Sequence, residues 1–165
     1  MNRLAGKAII VSGAGSGIGE GFVQTFAKEG AMVGVCDINK EAADRVVASI
    51  QASGGQAIAL YANVSKRSEV KAAFAQFVAW AGKLDVLFNN AGFNKPMPML
   101  EVTEENWHSI MDVNGLGVLI ALQEGARVMI PNKKGKIINT ADRKSTRLNS
   151  SPHHDLVCRL LLEKK

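Results

Sequence analysis

The 165-residue sequence predicts an α/β fold, a doubly wound parallel sheet in the strand order 3-2-1-4-5, and three observations carry that prediction. Five short apolar runs alternate with segments whose apolar residues recur at helical spacing, the pattern of successive strand–helix–strand units. The clearest of these runs, Met32-Val33-Gly34-Val35-Cys36, is continuously apolar, as a strand covered on both faces should be. The first run passes directly into a glycine-rich turn, Ser12-Gly13-Ala14-Gly15-Ser16-Gly17-Ile18-Gly19, which opens a helical segment.

Taken in order, residues 7–12 form the first strand and 17 to about 29 the first helix, with Phe22, Val23 and Phe26 as its apolar stripe and Gly30 as its C-terminal stop. Residues 32–37 are the second strand. Residues 40–53 are helical, turning Ala43, Val46, Val47 and Ile50 inward and ending at Gly54-Gly55. The third strand covers 57–62. Ser65 reads as the N-cap of a helix that runs to about residue 81 and carries Val70, Phe74, Phe77, Val78 and Ala81. The fourth strand is expected at 84–88, followed by a turn-rich loop from 89 to 98. Thr103-Glu104-Glu105-Asn106 is an N-cap with acidic residues in the first turn of a long helix reaching about residue 128. The glycines beside Asn114, Gly115 and Gly117, divide that helix into two pieces. Residues 136–140 complete the set as a fifth strand.

Bulk properties narrow the function classes. At 47% hydrophobic and 21% charged, the chain reads as one globular domain over residues 1–141. No window approaches the roughly 18 apolar residues of a membrane span. The first seven residues lack the apolar core of a secretory signal, so a cytoplasmic location is expected. Cys36 and Cys158 make neither a disulfide framework nor a metal site, and Cys36 reads as a buried reduced thiol. The net charge of +5 invites a nucleic-acid partner, but residues 142–165 hold six Lys/Arg against three Asp/Glu. The body is therefore nearly neutral. The expectation is no nucleic-acid or membrane partner.

The glycine turn has a specific chemistry. Its glycines admit positive φ and let the backbone approach a pyrophosphate without a Cβ in the way. The helix behind it aims free N–H groups and a positive dipole end at the anion. Gly13, Gly17 and Gly19 follow the spacing G-x-x-x-G-x-G, which an ordinary turn could share. Asp37 ends the second strand, 18 positions after Gly19. A carboxylate there accepts hydrogen bonds from an adenosine ribose and repels a 2′-phosphate. Ser16, Ile38 and Asn39 supply no cation for such a phosphate, which favours NAD over NADP.

With these residues in place, the sequence resembles the classical short-chain dehydrogenase/reductase family. The 12–19 turn, Asp37, Asn89-Asn90-Ala91-Gly92 after the fourth strand, and Asn114 in the long helix carry the likeness, which covers about residues 3–141. The resemblance implies a Rossmann fold, a nicotinamide dinucleotide, a small alcohol or carbonyl substrate, and an intact parent that is a homodimer or homotetramer joined through the Asn114 helix. It assigns Gly13, Ser16, Gly17, Ile18 and Gly19 to the pyrophosphate and Asp37 to the ribose. Asn63-Val64 stand where the family commonly has Asp-Val against the adenine, and Asn90, Ala91 and Gly92 border the cofactor. Asn114 belongs to the catalytic set, holding a water in a proton relay; the alternative is a helix-kink residue satisfying local backbone. The loop Asn94-Lys95-Pro96-Met97-Pro98 resembles members acting on polyols, diols or sugar alcohols.

The likeness stops after Ala141. A catalytic serine is expected at the next position, which is Asp142, and a Tyr-x-x-x-Lys near residue 155 is absent. Tyr61, the one tyrosine, lies in the third strand, where packing or the cofactor rim explains it better than catalysis. Residues 142–151 resemble the translation of a common sequencing-library adapter, and 156–165 its far end running into poly-A. The expectation is a truncated gene joined to adapter read-through, leaving the fifth strand at a sheet edge and the chain as written an inactive fragment. The other readings are a non-catalytic nucleotide-binding module and, through the basic tail alone, a nucleic-acid binder.

Overall fold

A computed structural model of the chain describes residues 2–141. The reading of residues 142–165 as a non-native tail lies outside the described residues. Five parallel strands, β1 (Ala8–Ser12), β2 (Met32–Asp37), β3 (Gln56–Tyr61), β4 (Val86–Asn89) and β5 (Lys136–Asn139), form one sheet in the order β3-β2-β1-β4-β5. The register puts Ile10 beside Gly34 on one side and Leu87 on the other, with Leu87 in turn beside Ile137.

Helices α1 (Gly17–Lys28) and α2 (Lys40–Ala52) cover one face, burying Val23, Ala27, Ala43, Val46 and Ile50 against Ile9, Val11, Val33 and Val35. Helices α3 (Arg67–Ala81) and α5 (Val118–Met129) cover the other, where Val70, Phe74, Phe77, Ile120 and Met129 meet Ile10, Leu60, Leu87 and Ile137. Each fully buried side chain of this size contributes about 1.5–3 kcal/mol. Gly34 interrupts an apolar strand because Phe77 lies over it: a Cβ there would stand 2.8 Å from the Phe77 ring. Helix α1 ends as the sequence indicates, with Gly30 at φ 87° just beyond its last turn.

Two local expectations change. Ser65 does not cap α3, which begins after Lys66. Asn63 captures Ser65 instead, its Oδ1 accepting from the Ser65 N–H (3.0 Å) and hydroxyl (2.8 Å), so Ser65 is consumed inside the preceding turn. The long helix is also not simply two pieces. Helix α4 (Glu104–Met111), capped by Thr103 Oγ1 at 3.2 Å from Asn106 N, runs without a gap through a π-helical turn, Asp112–Gly117, into α5. The helix widens at these glycines instead of breaking. Among the described residues, no helix is long and apolar enough to cross a membrane, and no group of three His, Cys, Asp or Glu could hold a metal.

Candidate functional site

The sheet order brings the C-terminal ends of β1 to β4 to one edge, and the loops that leave them line a cleft of about 620 Å³. Gly13, Ser16, Gly17, Ile18 and Gly19 from the first loop face Asp37 and Ile38 after β2, Ala62, Asn63 and Val64 after β3, and Asn90, Ala91, Gly92 and Phe93 after β4. Val113 of the π-helical turn closes one wall. Ala62, Phe93 and Val113 carry no motif of their own; their position after a strand end or beside Asn114 is the only sequence signal for them.

Close packing holds the glycine turn. Gly13 has φ 64°, and a Cβ on it would lie 2.8 Å from the Ala91 Cα. A Cβ on Gly19 would fall on the Gly13 carbonyl oxygen, well inside contact distance, and 2.8 Å from Asn90 Nδ2. Asn90 pins the turn to β4: its Nδ2 donates to the carbonyls of Ser12 and Gly13, each at 3.2 Å. Ser12 Oγ completes the tie by accepting from the N–H groups of Asn90 and Ala91, both at 3.1 Å. The Ser16 side chain makes no capping bond, so the first N–H groups of α1 keep their positive end free toward the cleft.

Asp37 is fixed at the opposite lip. Its Oδ2 accepts from Gly15 N at 2.8 Å and its Oδ1 from Asn39 N at 2.9 Å. The carboxylate thus braces the glycine turn and still presents oxygens to the cleft. A cation that loop spacing does not reveal stands behind that turn. Arg45, on α2, donates from Nη2 to the Gly15 carbonyl at 2.9 Å and grips Glu20 of α1 through Nη1 and Nη2, both at 2.9 Å. Its hydrogen bonds hold the Glu20 carboxyl below the usual carboxylate range.

Asn63 lines the cleft beside Val64, with its amide oxygen committed to Ser65 and its N–H donating to Glu69 Oε2 at 2.8 Å. That N–H bond, foremost, keeps Glu69 low. Tyr61 is absent from the cleft wall. Its hydroxyl donates to Asp44 at 2.5 Å and Lys40 lies over its ring at 5.4 Å, so packing on α2 is what it does. The bond to Asp44 raises its pKa, opposite to what a catalytic base needs.

Asn114 sits in the middle of the π-helical turn, behind Gly92 and Phe93. Its Oδ1 accepts from Phe93 N at 3.0 Å and its Nδ2 donates to Phe93 O at 2.9 Å. The side chain therefore clamps the loop that leaves β4, 21 residues away, rather than its own helix backbone. Any proton-relay role falls to its remaining bonding capacity. The positions where a serine and a Tyr-x-x-x-Lys are expected, 142 and near 155, lie outside the described residues.

The short chain dehydrogenase family profile matches residues 7–149. A 2,5-dichloro-2,5-cyclohexadiene-1,4-diol dehydrogenase from Sphingobium indicum is 42% identical over 143 residues, covering 86% of this chain and 56% of that protein. Among solved structures, a short-chain type dehydrogenase/reductase from Mycobacterium marinum superimposes with a TM-score of 0.83 at 31% identity, covering 88% of this chain and 60% of that one. A 7 alpha-hydroxysteroid dehydrogenase complexed with NADH and 7-oxo glycochenodeoxycholic acid gives 0.79 at 37% identity, covering 83% and 53%. The chain thus spans little more than half the length of the proteins it matches. With the sheet order, the glycine turn and the cleft in agreement, the chain belongs to the short-chain dehydrogenase/reductase family.

Proposed function

We propose that this chain is the coenzyme-binding part of an oxidoreductase moving a hydride between NAD(H) and an alcohol or carbonyl substrate. The observation that carries the reading is the cleft itself: a glycine turn with no room for a Cβ at Gly13 or Gly19, facing the uncapped N-terminus of α1. Those residues fit a pyrophosphate, with Gly13, Ser16, Gly17, Ile18 and Gly19 around it. Asp37 would accept from the ribose hydroxyls and oppose a 2′-phosphate, Asn63 and Val64 would flank the adenine, and Asn90, Ala91 and Gly92 would border the nicotinamide side. The dinucleotide supplies hydride donor and acceptor chemistry when bound.

Asn114 would hold a water for the proton relay while its amide fixes the Phe93 loop. A serine and a Tyr-x-x-x-Lys would orient the substrate oxygen and carry its proton. The chain has Asp142 and no such tyrosine, so as written it is an inactive fragment, residues 1–141 being the truncated binding domain and 142–165 adapter read-through. The diol named for the Sphingobium relative supports a polyol, diol or sugar alcohol as the parent's substrate. Exposed Trp107, Met111, Leu116 and Leu119 on the α4–α5 helix support a homodimer or homotetramer of the intact parent, and the reduced, buried Cys36 supports a cytoplasmic setting.

Titration of the purified chain with NADH, followed by fluorescence and calorimetry, is expected to saturate, with NADPH binding more weakly. Alcohol oxidation should be undetectable; turnover by this chain would refute the fragment reading. A non-catalytic nucleotide-binding module is the second reading, favoured by the aspartate at position 142. Sequencing the source DNA across the Ala141 codon separates the two: a serine and Tyr-x-x-x-Lys downstream support the enzyme.

A further inference from the structure

The feature that neither the glycine turn nor Asp37 accounts for is the Arg45–Glu20 pair. Arg45 reaches across from α2 and touches the Gly15 carbonyl, while the N–H of the same Gly15 is held by Asp37. A single residue therefore separates the guanidinium from the carboxylate proposed to meet the adenosine ribose. Arg45 lies behind the turn rather than in the cleft wall, and an arginine near the ribose is what accommodates a 2′-phosphate, since its planar fork matches phosphate oxygens. Here the fork is taken. Glu20 binds both terminal nitrogens at 2.9 Å, and the carboxylate is itself held back, its side chain 21% accessible against 58% for Arg45. Glu20 also lies in the first turn of α1, where the helix dipole favours a negative charge. Lys40, the other cation at the start of α2, lies over the Tyr61 ring instead.

We infer that Glu20 is a coenzyme-selectivity residue: by occupying Arg45 it withholds the guanidinium that abuts Gly15, next to Asp37, from a 2′-phosphate. Glu20 acts through Arg45 and is a positioning residue. Selection against the phosphorylated dinucleotide then has two parts, the repulsion of Asp37 and the neutralisation of Arg45. The inference rests on the proposed NAD-binding reading and adds a residue to it.

The test compares dissociation constants for NADH and NADPH in the full chain and in E20Q, R45M and the E20Q/R45M double variant, each checked for unfolding midpoint in urea. Glutamine keeps the shape and an acceptor oxygen but removes the charge. E20Q should tighten NADPH relative to NADH by about five- to tenfold, the size of one unit charge a few ångströms away in a mostly aqueous setting. The gain should shrink as salt is raised, and the double variant should return to the parent's ratio. An E20Q ratio within twofold of the parent, or a relaxed ratio that survives in the double variant, overturns the role of Glu20 while leaving NAD binding intact. A parent chain that binds neither dinucleotide overturns both.

Discussion

Replacing Gly19 by alanine tests the packing of the cleft at its tightest point. The added Cβ would land on the Gly13 carbonyl oxygen and within 2.8 Å of Asn90 Nδ2 and 2.9 Å of the Gly13 carbonyl carbon. Two of these three atoms are backbone, so no side-chain rotation relieves the clash. The backbone clash forces α1 away from β1, and the clash with Nδ2 takes Asn90 off its two 3.2 Å bonds to Ser12 and Gly13. Overpacking costs about 1–3 kcal/mol and each lost hydrogen bond about 1 kcal/mol, giving about 3–5 kcal/mol together. With a urea dependence near 2 kcal/mol per molar, the midpoint should fall by about 1.5–2.5 M. Gly21, one turn-position on in the same helix, has nothing within 4 Å of a Cβ. Alanine there should raise stability by up to about 1 kcal/mol through helix propensity alone. Parallel urea titrations followed by far-UV circular dichroism, with NADH titrations of the same samples, read both variants. A G19A chain with the parent midpoint and undiminished NADH affinity would refute the cradle argument.

Three further outcomes follow from the geometry. Glu20 and Glu69 are held low by partners, and for Asp85 and Glu124 burial pushes upward but is outweighed, by Ala8 N–H and Lys83 for Asp85 and by Arg67 and Arg127 for Glu124. Carboxyls depressed in the folded state stabilise it above the unfolded values near 4 and lose that contribution as pH falls through the folded ones. The urea midpoint should hold from pH 7 to 5 and drop steeply between 4 and 2; a flat profile over the lower interval contradicts the ion-pair assignments. N114A should cost about 1–2 kcal/mol by freeing both polar groups of Phe93, and amide exchange at Phe93 should accelerate well beyond that of the β1 core. Burial pushes the Cys36 thiol up to about 12, so the Cys36 peptide should stay unalkylated in native buffer and react only in denaturant, as read by mass spectrometry.

The parts legible in the sequence share one property: they are local. Apolar runs announce strands because burial on both faces leaves no alternation, and the observed strands lie within a residue or two of those runs. The motif residues from Gly13 to Gly92 gather along one cleft because each follows the C-terminal end of a parallel strand, and the strand order does the rest. What the sequence hid depends on partners distant along the chain. Arg45 stands 30 residues from Gly15 on another helix, so its contact with the turn has no spacing signature. Glu124, buried on α5, is matched by Arg67 of α3 at 2.7 Å, 57 residues away, and by Arg127 on the same carboxylate oxygen, a pairing with no spacing signature. Ser65 resembles a cap because a hydroxyl before a helix usually is one; here the helix begins one residue too late for it, after Lys66, and the hydroxyl donates back to Asn63.

The π-helical turn has a consequence for how this helix can vary in length. Each residue of a regular helix advances the azimuth by about 100°. Helix α5 is anchored by Ile120, Ala121 and Met129 in the core, whereas Asn114 must point at the Phe93 loop. The wide turn sets the phase between those two demands. Deleting one residue from Asp112–Gly117 would leave the hydrogen-bonded rod continuous and its hydrophobic pattern almost unchanged. Five residues of regular helix sweep about 500°, nearly what the six residues of the wider turn sweep, so α4 and Thr103 would keep their azimuth while Val113 and Asn114 lose the bulge that presents them. The wide turn stores one residue beyond what a regular helix needs, so its removal should be felt at the Asn114–Phe93 bonds rather than in the packing of α4.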